Sequence, residues 1–149
     1  MSVVFRDATA VDVTEVVALL RDDTLGSQRE LSDMSVYRDA FKRMQQEGNN
    51  TLIVGELVGR IVATYQLTFI SGWSLKASRR AQIASVRVAG DVRGQKLGEA
   101  MIADAEMRAR AAGCRLMQLT MNKTRTDSAR FYERVGFTPS HIGYKRDLT

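Results

Sequence analysis

A short turn late in the chain combines glycines with two cationic side chains. It consists of Arg93, Gly94, Gln95, Lys96, Leu97 and Gly98. The spacing of apolar residues after this turn predicts a helix, and a helix N-terminus offers backbone N–H groups and a partial positive charge that favour phosphate. Glycines also let a ligand approach the backbone closely. The turn is therefore suited to a pyrophosphate, although an ordinary strand-to-helix turn explains the same residues equally well.

Other ligand chemistries are less well supplied. The turn lacks the Gly-Lys-Ser/Thr ending of a P-loop and the Gly-x-Gly-x-x-Gly of a dinucleotide fold. The sequence has one cysteine, Cys114, and one histidine, His141. We therefore expect no metal site and no internal disulfide, because both need more ligands or partners than these.

Charge is unevenly distributed along the chain. There are 22 Lys and Arg residues against 17 Asp and Glu, a net charge of +5, and the basic excess falls in the C-terminal half. A basic half suits a phosphorylated cofactor or a nucleic acid, and solvated helix faces explain it too. Apolar runs are short and no secretory pattern follows Met1, so a cytoplasmic protein is expected.

The elements that must position the turn alternate between strands and helices. With 149 residues, 44% of them hydrophobic, the chain predicts a single domain over residues 1–149. Period-two patterns predict strands at 3–8, 51–57, 60–70, 81–89, 114–121 and 137–148. Helical spacing predicts helices at 13–20, 36–44, 97–112 and 128–135. The order predicts a mixed α/β sheet with helices packed on it.

Two segments in this framework resemble motifs of a known family. Residues 86–101, with Arg93, Gly94 and Gly98, resemble motif A of the GCN5-related N-acetyltransferases (GNAT), which binds the pyrophosphate of acetyl-coenzyme A. Residues 128–137, with Tyr132 and the final Gly-Phe, resemble motif B. The resemblance implies the GNAT fold, with a mixed, mostly antiparallel central sheet. It also implies an N-acetyltransferase in which an amine directly attacks the thioester of acetyl-coenzyme A.

The chain departs from the family pattern at three positions. Lys96 stands where motif A has its middle glycine, Arg125 stands where an asparagine is frequent, and Ala84 stands where many members carry a glutamate that acts as general base. A backbone N–H is still present at Lys96, so we expect coenzyme A to bind. No residue stands out as the base.

The resemblance assigns roles to individual residues. Tyr132 is the expected general acid for the leaving thiolate, and the backbone N–H of Val88 is the expected oxyanion donor. The strand at 86–88 is expected to pair with the pantetheine arm where it splays from the strand at 116–121. The expected cofactor-binding residues are Val86, Arg87, Val88, Arg93, Gly94, Gln95, Lys96, Leu97, Gly98, Glu99, Arg125, Ser128 and Phe131.

The acceptor is harder to identify. Asp22, Asp23 and Glu30 lie in the loop between the first two predicted helices, which often lines the acceptor site in this family, and their charge favours a cationic small amine. A solvated polar loop explains them equally well. Trp73 lies in another loop, where it would cover an acceptor or a subunit contact.

Two other functions stay open. The first is a coenzyme A-binding protein with little catalysis, an interpretation that the departures at Ala84 and Lys96 suggest. The second is a basic nucleic-acid-binding module, which the net positive charge suggests but which no RNP-like pattern, zinc finger or helix-turn-helix supports. We expect no nucleic-acid partner and no membrane partner, and the resemblance makes a homodimer an expectation.

Overall fold

The computed structural model describes residues 2–21, 33–94 and 96–149. Its elements, in chain order, are β1 (Val4–Asp7), α1 (Val13–Arg21), α2 (Met34–Glu47), β2 (Asn50–Leu57), β3 (Arg60–Ile70), β4 (Arg80–Val88), α3 (Leu97–Ala111), β5 (Leu116–Leu119) and α4 (Thr126–Arg134). Single turns of 3-10 helix at Ala10–Asp12 and Gly90–Val92 precede α1 and α3.

The five strands form one sheet in the order β1-β2-β3-β4-β5. Neighbours are antiparallel except β4 and β5, which are parallel. The predicted mixed, mostly antiparallel sheet flanked by helices is confirmed. The predicted hairpin between β2 and β3 is also present, since Val58 and Gly59 have φ angles of 48° and 76°, the left-handed pair that a two-residue hairpin turn requires.

A helix packs on each face of the sheet. On one face, the small and apolar stripe of α3, with Met101, Ala105 and Ala109, packs against Tyr65 and Ile83 of the central strands. On the other face, α1 packs over the far half of the same strands. Its contact residues are Val16 and Leu19, set against Val54, Ile61, Val62 and Ala89. The central strands are therefore buried on both sides.

Two polar networks tie the sheet to its helices. Asp12 accepts hydrogen bonds from Arg6 at 2.7 Å and from the backbone N–H of Thr9 at 2.7 Å. The Arg6 hydrogen bond, against the opposing effect of burial, holds the pKa of Asp12 below its usual range. On the other face the buried Tyr65 hydroxyl donates to Asp104 at 2.6 Å.

The predicted last strand, residues 137–148, is wrong for this structure. No strand is formed there, and every residue from 138 to 149 is exposed. The alternation of Ile142, Tyr144 and Leu148 favours a strand, but a strand forms only when its backbone groups find a partner. Among the described residues, the outer side of β5, the last strand of the sheet, is not paired with this segment. We refer to residues 138–149 as the C-terminal arm.

The acidic, histidine and cysteine side chains of the described residues are dispersed. Among the described residues, no three His, Cys, Asp or Glu side chains lie together as a metal would need. The Cys114 thiol is half-buried, and burial raises its pKa, which makes it a poor nucleophile. No helix in the described ranges has the length and apolar character to cross a bilayer.

Candidate active site

An opening begins halfway along β4. This strand pairs with β5 only from Arg80 to Ile83, opposite Leu116–Leu119. Just beyond, Ser85 adopts a left-handed φ of 53°, and the β3 pairing shifts register there, so that two residues of β4 oppose the single residue Tyr65. Such a bulge bends the strand and increases its twist. Among the described strands, the second half of β4 therefore has no neighbour on its β5 side.

Val88 points its backbone into this opening. Antiparallel pairs alternate between those that exchange hydrogen bonds and those that do not. Ala89 donates to the Val62 carbonyl at 2.8 Å, so the next pair, Val88 opposite Ala63, is of the kind that does not bond. The N–H and C=O of Val88 therefore face away from β3. Its C=O accepts a hydrogen bond from Nε of Arg93 at 3.3 Å, and its N–H faces the same side.

The glycine-bearing turn lies at the end of β4. Val92 is buried and anchors the turn, while Arg93 and Lys96 are exposed on it. An ion pair of 2.6 Å between Arg60 and Asp91 ties the turn to the start of β3. Helix α3 begins directly afterwards, so its first backbone N–H groups are at the turn without helical acceptors.

Two residues of the turn have left-handed backbones. Gly94 has a φ of 86°, which suits glycine. Lys96 has φ 62° and ψ 23°, a conformation that costs an L-residue with a side chain. The structure thus explains why a glycine is usual at this position of the motif. Gln95, between them, lies outside the described residues.

Gly98 is required for packing between helices. A Cβ placed on Gly98 would lie 2.9 Å from Cζ of Phe131, which is closer than carbon atoms approach. Beside this contact, Glu99 accepts a hydrogen bond from Arg134 at 3.3 Å, and the Arg134 guanidinium lies 5.4 Å from the Phe131 ring centre. The open side of Gly98 therefore faces α4. The side chain of Leu97 is also turned into the core, which leaves its backbone for a ligand.

Tyr132 lies on α4 in a mostly apolar environment. Its ring makes edge contacts with Phe131 at 5.2 Å and Phe137 at 5.9 Å between centres. Burial raises the pKa of the Tyr132 hydroxyl, and the positive charges of Arg125 and Arg87 oppose the rise without cancelling it. A phenol in this position stays protonated at neutral pH and can donate a proton.

The remaining residues expected around the cofactor lie near Tyr132. Arg125 and Ser128 are half-buried at the start of α4. Arg87 is 9% exposed, and its Nη1 donates to the carbonyl of Val86 at 2.7 Å. Val86 packs against the same apolar cluster as Phe131 and Tyr132. Residues of the two segments, 86–101 and 128–137, therefore lie together at the opening beside β4.

Of the residues expected at the acceptor, the structure describes Trp73 alone. Asp22, Asp23 and Glu30 lie outside the described residues. Trp73 is 94% exposed in the turn between β3 and β4. That turn continues through Leu75–Ala77, three residues with φ angles of 54°, 61° and 56°.

Sequence reasoning missed a polar strip on the sheet face opposite α3. Gln82 accepts from Gln118 at 2.8 Å, and Gln118 accepts from Arg80 at 2.9 Å. Next to them, Gln66 donates to Asn50 at 2.8 Å. These side chains are half-buried and lead up to Ala84, where β4 leaves β5. The signal was available, since polar residues alternate with buried apolar ones along both central strands.

Comparisons with known proteins lead to the same family as the sequence motifs. The profile of the acetyltransferase (GNAT) family matches residues 14–137. The chain is 33% identical to an aminoalkylphosphonate N-acetyltransferase of Salmonella typhimurium, over 96% of this chain and 90% of that protein.

Solved structures match over nearly the whole chain. A structure described as a transcriptional regulator from Bacillus halodurans is 40% identical, with a TM-score of 0.94 over 98% of this chain and 99% of that one. A putative acetyltransferase from Agrobacterium tumefaciens is 22% identical, with a TM-score of 0.87 over 97% and 99% of the two chains. The second of these likenesses concerns the fold alone.

Proposed function

Because the chain belongs to the acetyltransferase (GNAT) family, we propose that the opening beside β4 is where its reaction takes place. The activity is the transfer of an acetyl group from acetyl-coenzyme A to an amine. The observation that carries the proposal for this site is the Val88 backbone, which faces the opening and away from β3. The residue roles below belong to the same proposal.

The donor binds along β4 and the turn that follows it. The pyrophosphate lies against the N-terminus of α3, with Arg93, Gly94, Lys96 and the Gly98 backbone around it. The exposed cations and unpaired N–H groups support this, because both stabilise phosphate charge. The pantetheine arm extends along Val86–Val88, where no strand of the described residues lies next to β4 on its β5 side. Residues Arg87, Gln95, Leu97, Glu99, Arg125, Ser128 and Phe131 complete the expected set.

Acetyl transfer needs two proton movements and one charge to be stabilised. The neutral amine attacks the thioester carbon, and the Val88 N–H donates to the oxygen that becomes negative. The C–S bond then breaks, and Tyr132 gives its proton to the leaving sulfur. The amine loses a proton to water, since Ala84 supplies no acceptor. The raised pKa of Tyr132 supports its part, because the hydroxyl is protonated before the step.

The acceptor we propose is a small primary amine that carries an anionic group. The Salmonella relative acts, by its name, on aminoalkylphosphonates. In support, Arg87 and Arg125 place positive charge beside Tyr132, and the polar strip that leads up to Ala84 contains a further cation, Arg80. The acidic loop of Asp22, Asp23 and Glu30 stays a prediction for a cationic acceptor. Trp73 stays a prediction for an acceptor or a subunit contact.

Thiol release separates these possibilities. An aminoalkylphosphonate, the same alkylamine without phosphonate, and a polyamine are each supplied with acetyl-coenzyme A. We expect release with the phosphonate at least about tenfold above release with the matched alkylamine, the effect of one charge-assisted contact. Preference for the polyamine would contradict the anionic acceptor and favour the acidic loop. Calorimetric binding of acetyl-coenzyme A with no release for any amine would favour a binding protein.

The molecular setting is proposed as well. We propose one domain over residues 1–149, since all five described strands share one sheet. The chain acts as a homodimer in the cytoplasm, where acetyl-coenzyme A is available, without a nucleic-acid or membrane partner. The basic excess and the name of the Bacillus structure give reason to test DNA binding across a salt series. Binding at physiological salt would contradict the absence of a nucleic-acid partner.

A further inference from the structure

The side chain of Arg87 leaves β4 on the face of the sheet that carries the polar strip. Arg87 lies opposite Thr64 on β3. Thr64 shares a face with Val62, which packs against α1, because residues two apart on a strand point the same way. Val86, next to Arg87 on β4, packs instead against the cluster under α3. Arg87 is therefore rooted on the side opposite to α3, where the polar strip lies.

The guanidinium of Arg87 then turns into the opening beside β4. Ala89 donates its N–H to the carbonyl of Val62 at 2.8 Å, so by alternation along the strand the N–H of Arg87 faces β3 as well. The Val86 carbonyl belongs to the same trans peptide as that N–H, so it points the opposite way, into the opening. Nη1 of Arg87 donates to this carbonyl oxygen at 2.7 Å. The buried cation therefore lies at the edge of the opening.

Arg87 lies at the reaction end of the opening, away from the phosphate end. Burial raises the pKa of the Tyr132 hydroxyl, and the charge of Arg87 is close enough to oppose this rise. Arg93 and Lys96, the cations proposed for the pyrophosphate, lie on the turn after β4. The Arg87 charge is thus placed for an anion that arrives with the acceptor and not with the pyrophosphate.

The spacing along β4 fits a short acceptor. Val86 and Val88 are two residues apart, about 7 Å, and present backbone groups to the same side. An amine that attacks beside the Val88 N–H can therefore hold an anionic group, a few carbons away, next to the Arg87 guanidinium. The guanidinium is a planar fork of N–H donors that matches two oxygens of a phosphonate. A carbonyl oxygen is uncharged, so the contact with Val86 does not neutralise the cation.

We propose that the Arg87 guanidinium binds the anionic group of the acceptor, and that Arg87 belongs to the acceptor site and not to the cofactor site. The inference rests on the proposed function, from which it takes the opening and the anionic amine, and it adds the residue that selects such an amine. The phosphonate oxygens accept hydrogen bonds from the guanidinium, and the amine at the other end faces the thioester. An alkylamine without the anionic group reaches the same thioester but lacks this contact.

The test compares kcat/KM for an aminoalkylphosphonate with kcat/KM for the same alkylamine without phosphonate. In the wild type we expect a ratio of at least about ten. In the neutral variants R87Q and R87M the ratio should fall to about one, and R87M keeps a long apolar stem in this buried position. In R87K, which keeps the charge without the fork, the ratio should be intermediate. The control R110Q removes the same charge from a side chain on α3 that is 76% exposed, and should keep the wild-type ratio.

Two further measurements separate the acceptor from the donor. Calorimetry of acetyl-coenzyme A should show a smaller fold-change in the dissociation constant of R87Q and R87M than in their acceptor ratio. In the wild type, an alkylphosphonate without an amine should compete with the aminoalkylphosphonate and not with acetyl-coenzyme A. Circular dichroism reports whether each variant is folded.

The other outcomes overturn the assignment in distinguishable ways. A ratio that survives in a folded neutral variant removes Arg87 from the acceptor and leaves the anionic acceptor in place. Loss of the ratio in R80Q instead would assign recognition to the polar strip. Competition of the alkylphosphonate with acetyl-coenzyme A would return Arg87 to the cofactor. A wild type without preference for the phosphonate contradicts the proposed acceptor itself, and the role of Arg87 with it.

Discussion

Because the backbone at Lys96 is left-handed, glycine should be more stabilising than alanine at this position, which is the opposite of their usual order in a helix. Replacing alanine by glycine inside a helix costs about 1 kcal/mol. At Lys96, with a φ of 62°, a residue with a Cβ pays roughly 1–2 kcal/mol that glycine does not pay. Glycine in turn adds about 0.4–1 kcal/mol of unfolded-chain entropy. The variant K96G should therefore be about 0.5–1 kcal/mol more stable than K96A.

The comparison of K96G with K96A isolates the backbone, because both variants lack the ammonium. Urea denaturation measures the free energy of unfolding of each, and a difference of this size corresponds to a Tm higher by roughly 2–3 °C in K96G. The matched control is A100G, at an exposed position one turn into α3, which should lose about 1 kcal/mol. Equal stability of K96G and K96A, or a less stable K96G, would refute the left-handed assignment.

The same two variants report on the cofactor. Each lacks the Lys96 charge, so both should bind acetyl-coenzyme A about two- to fivefold more weakly than the wild type at low salt, and the gap should close as salt is added. If Lys96 faces away from the phosphates, calorimetry will give three equal dissociation constants. Binding therefore tests the proposed position of the pyrophosphate, while unfolding tests the backbone.

Three further outcomes follow from contacts described above. In Y132F, kcat should fall by about 10²–10⁴ with the KM for acetyl-coenzyme A unchanged, and wild-type turnover should show no loss of the acid at neutral pH because the Tyr132 pKa is raised; an unchanged kcat would remove Tyr132 as the acid. In G98A, the new Cβ meets Phe131, so urea unfolding should show a loss of about 1–3 kcal/mol, and a loss no greater than a few tenths would contradict this contact. Asp12 has a lowered pKa in the folded state, so its carboxylate stabilises the fold at pH values above the unfolded pKa near 3.9, and this contribution disappears as the pH falls through the lower folded pKa. The variant D12N should therefore be less stable than the wild type at pH 6, and its free energy of unfolding should fall less between pH 5 and pH 2. Parallel pH profiles of the two proteins would contradict the ion pair with Arg6.

Local patterns predicted much of this molecule. The β2–β3 hairpin follows from a glycine flanked by alternating residues, and α3 follows from helical spacing that begins at Leu97. The two motifs meet at one opening because each lies at a strand or helix end that the sheet order brings together. The departures of this chain from the family pattern at Ala84 and Lys96 were also visible in the sequence, since each is a single position in a recognised motif.

Other features depend on partners that a sequence does not display. The bulge places Ser85 in a left-handed conformation, which the sequence does not predict because the residue there is a serine and not a glycine. The sequence predicts that Gly98 lets a ligand approach the backbone, and the structure adds a second reason for this glycine, because a Cβ there would meet Phe131, 33 positions away. The strand expected at 137–148 has the right alternation, but pairing depends on which edge is offered and by which molecule.

The Val88 carbonyl, held by Arg93, determines what kind of chain the opening admits. An unpaired stretch of strand normally invites any polypeptide, and many proteins protect such edges against aggregation. Here one acceptor of the stretch is already occupied by the guanidinium, while the N–H beside it faces the opening. A visiting peptide strand must both donate and accept to pair well, so at Val88 it has to share the carbonyl oxygen with the Arg93 guanidinium. An elongated ligand that only accepts a hydrogen bond from the Val88 N–H does not compete with Arg93, so the contact favours such a ligand over a peptide strand.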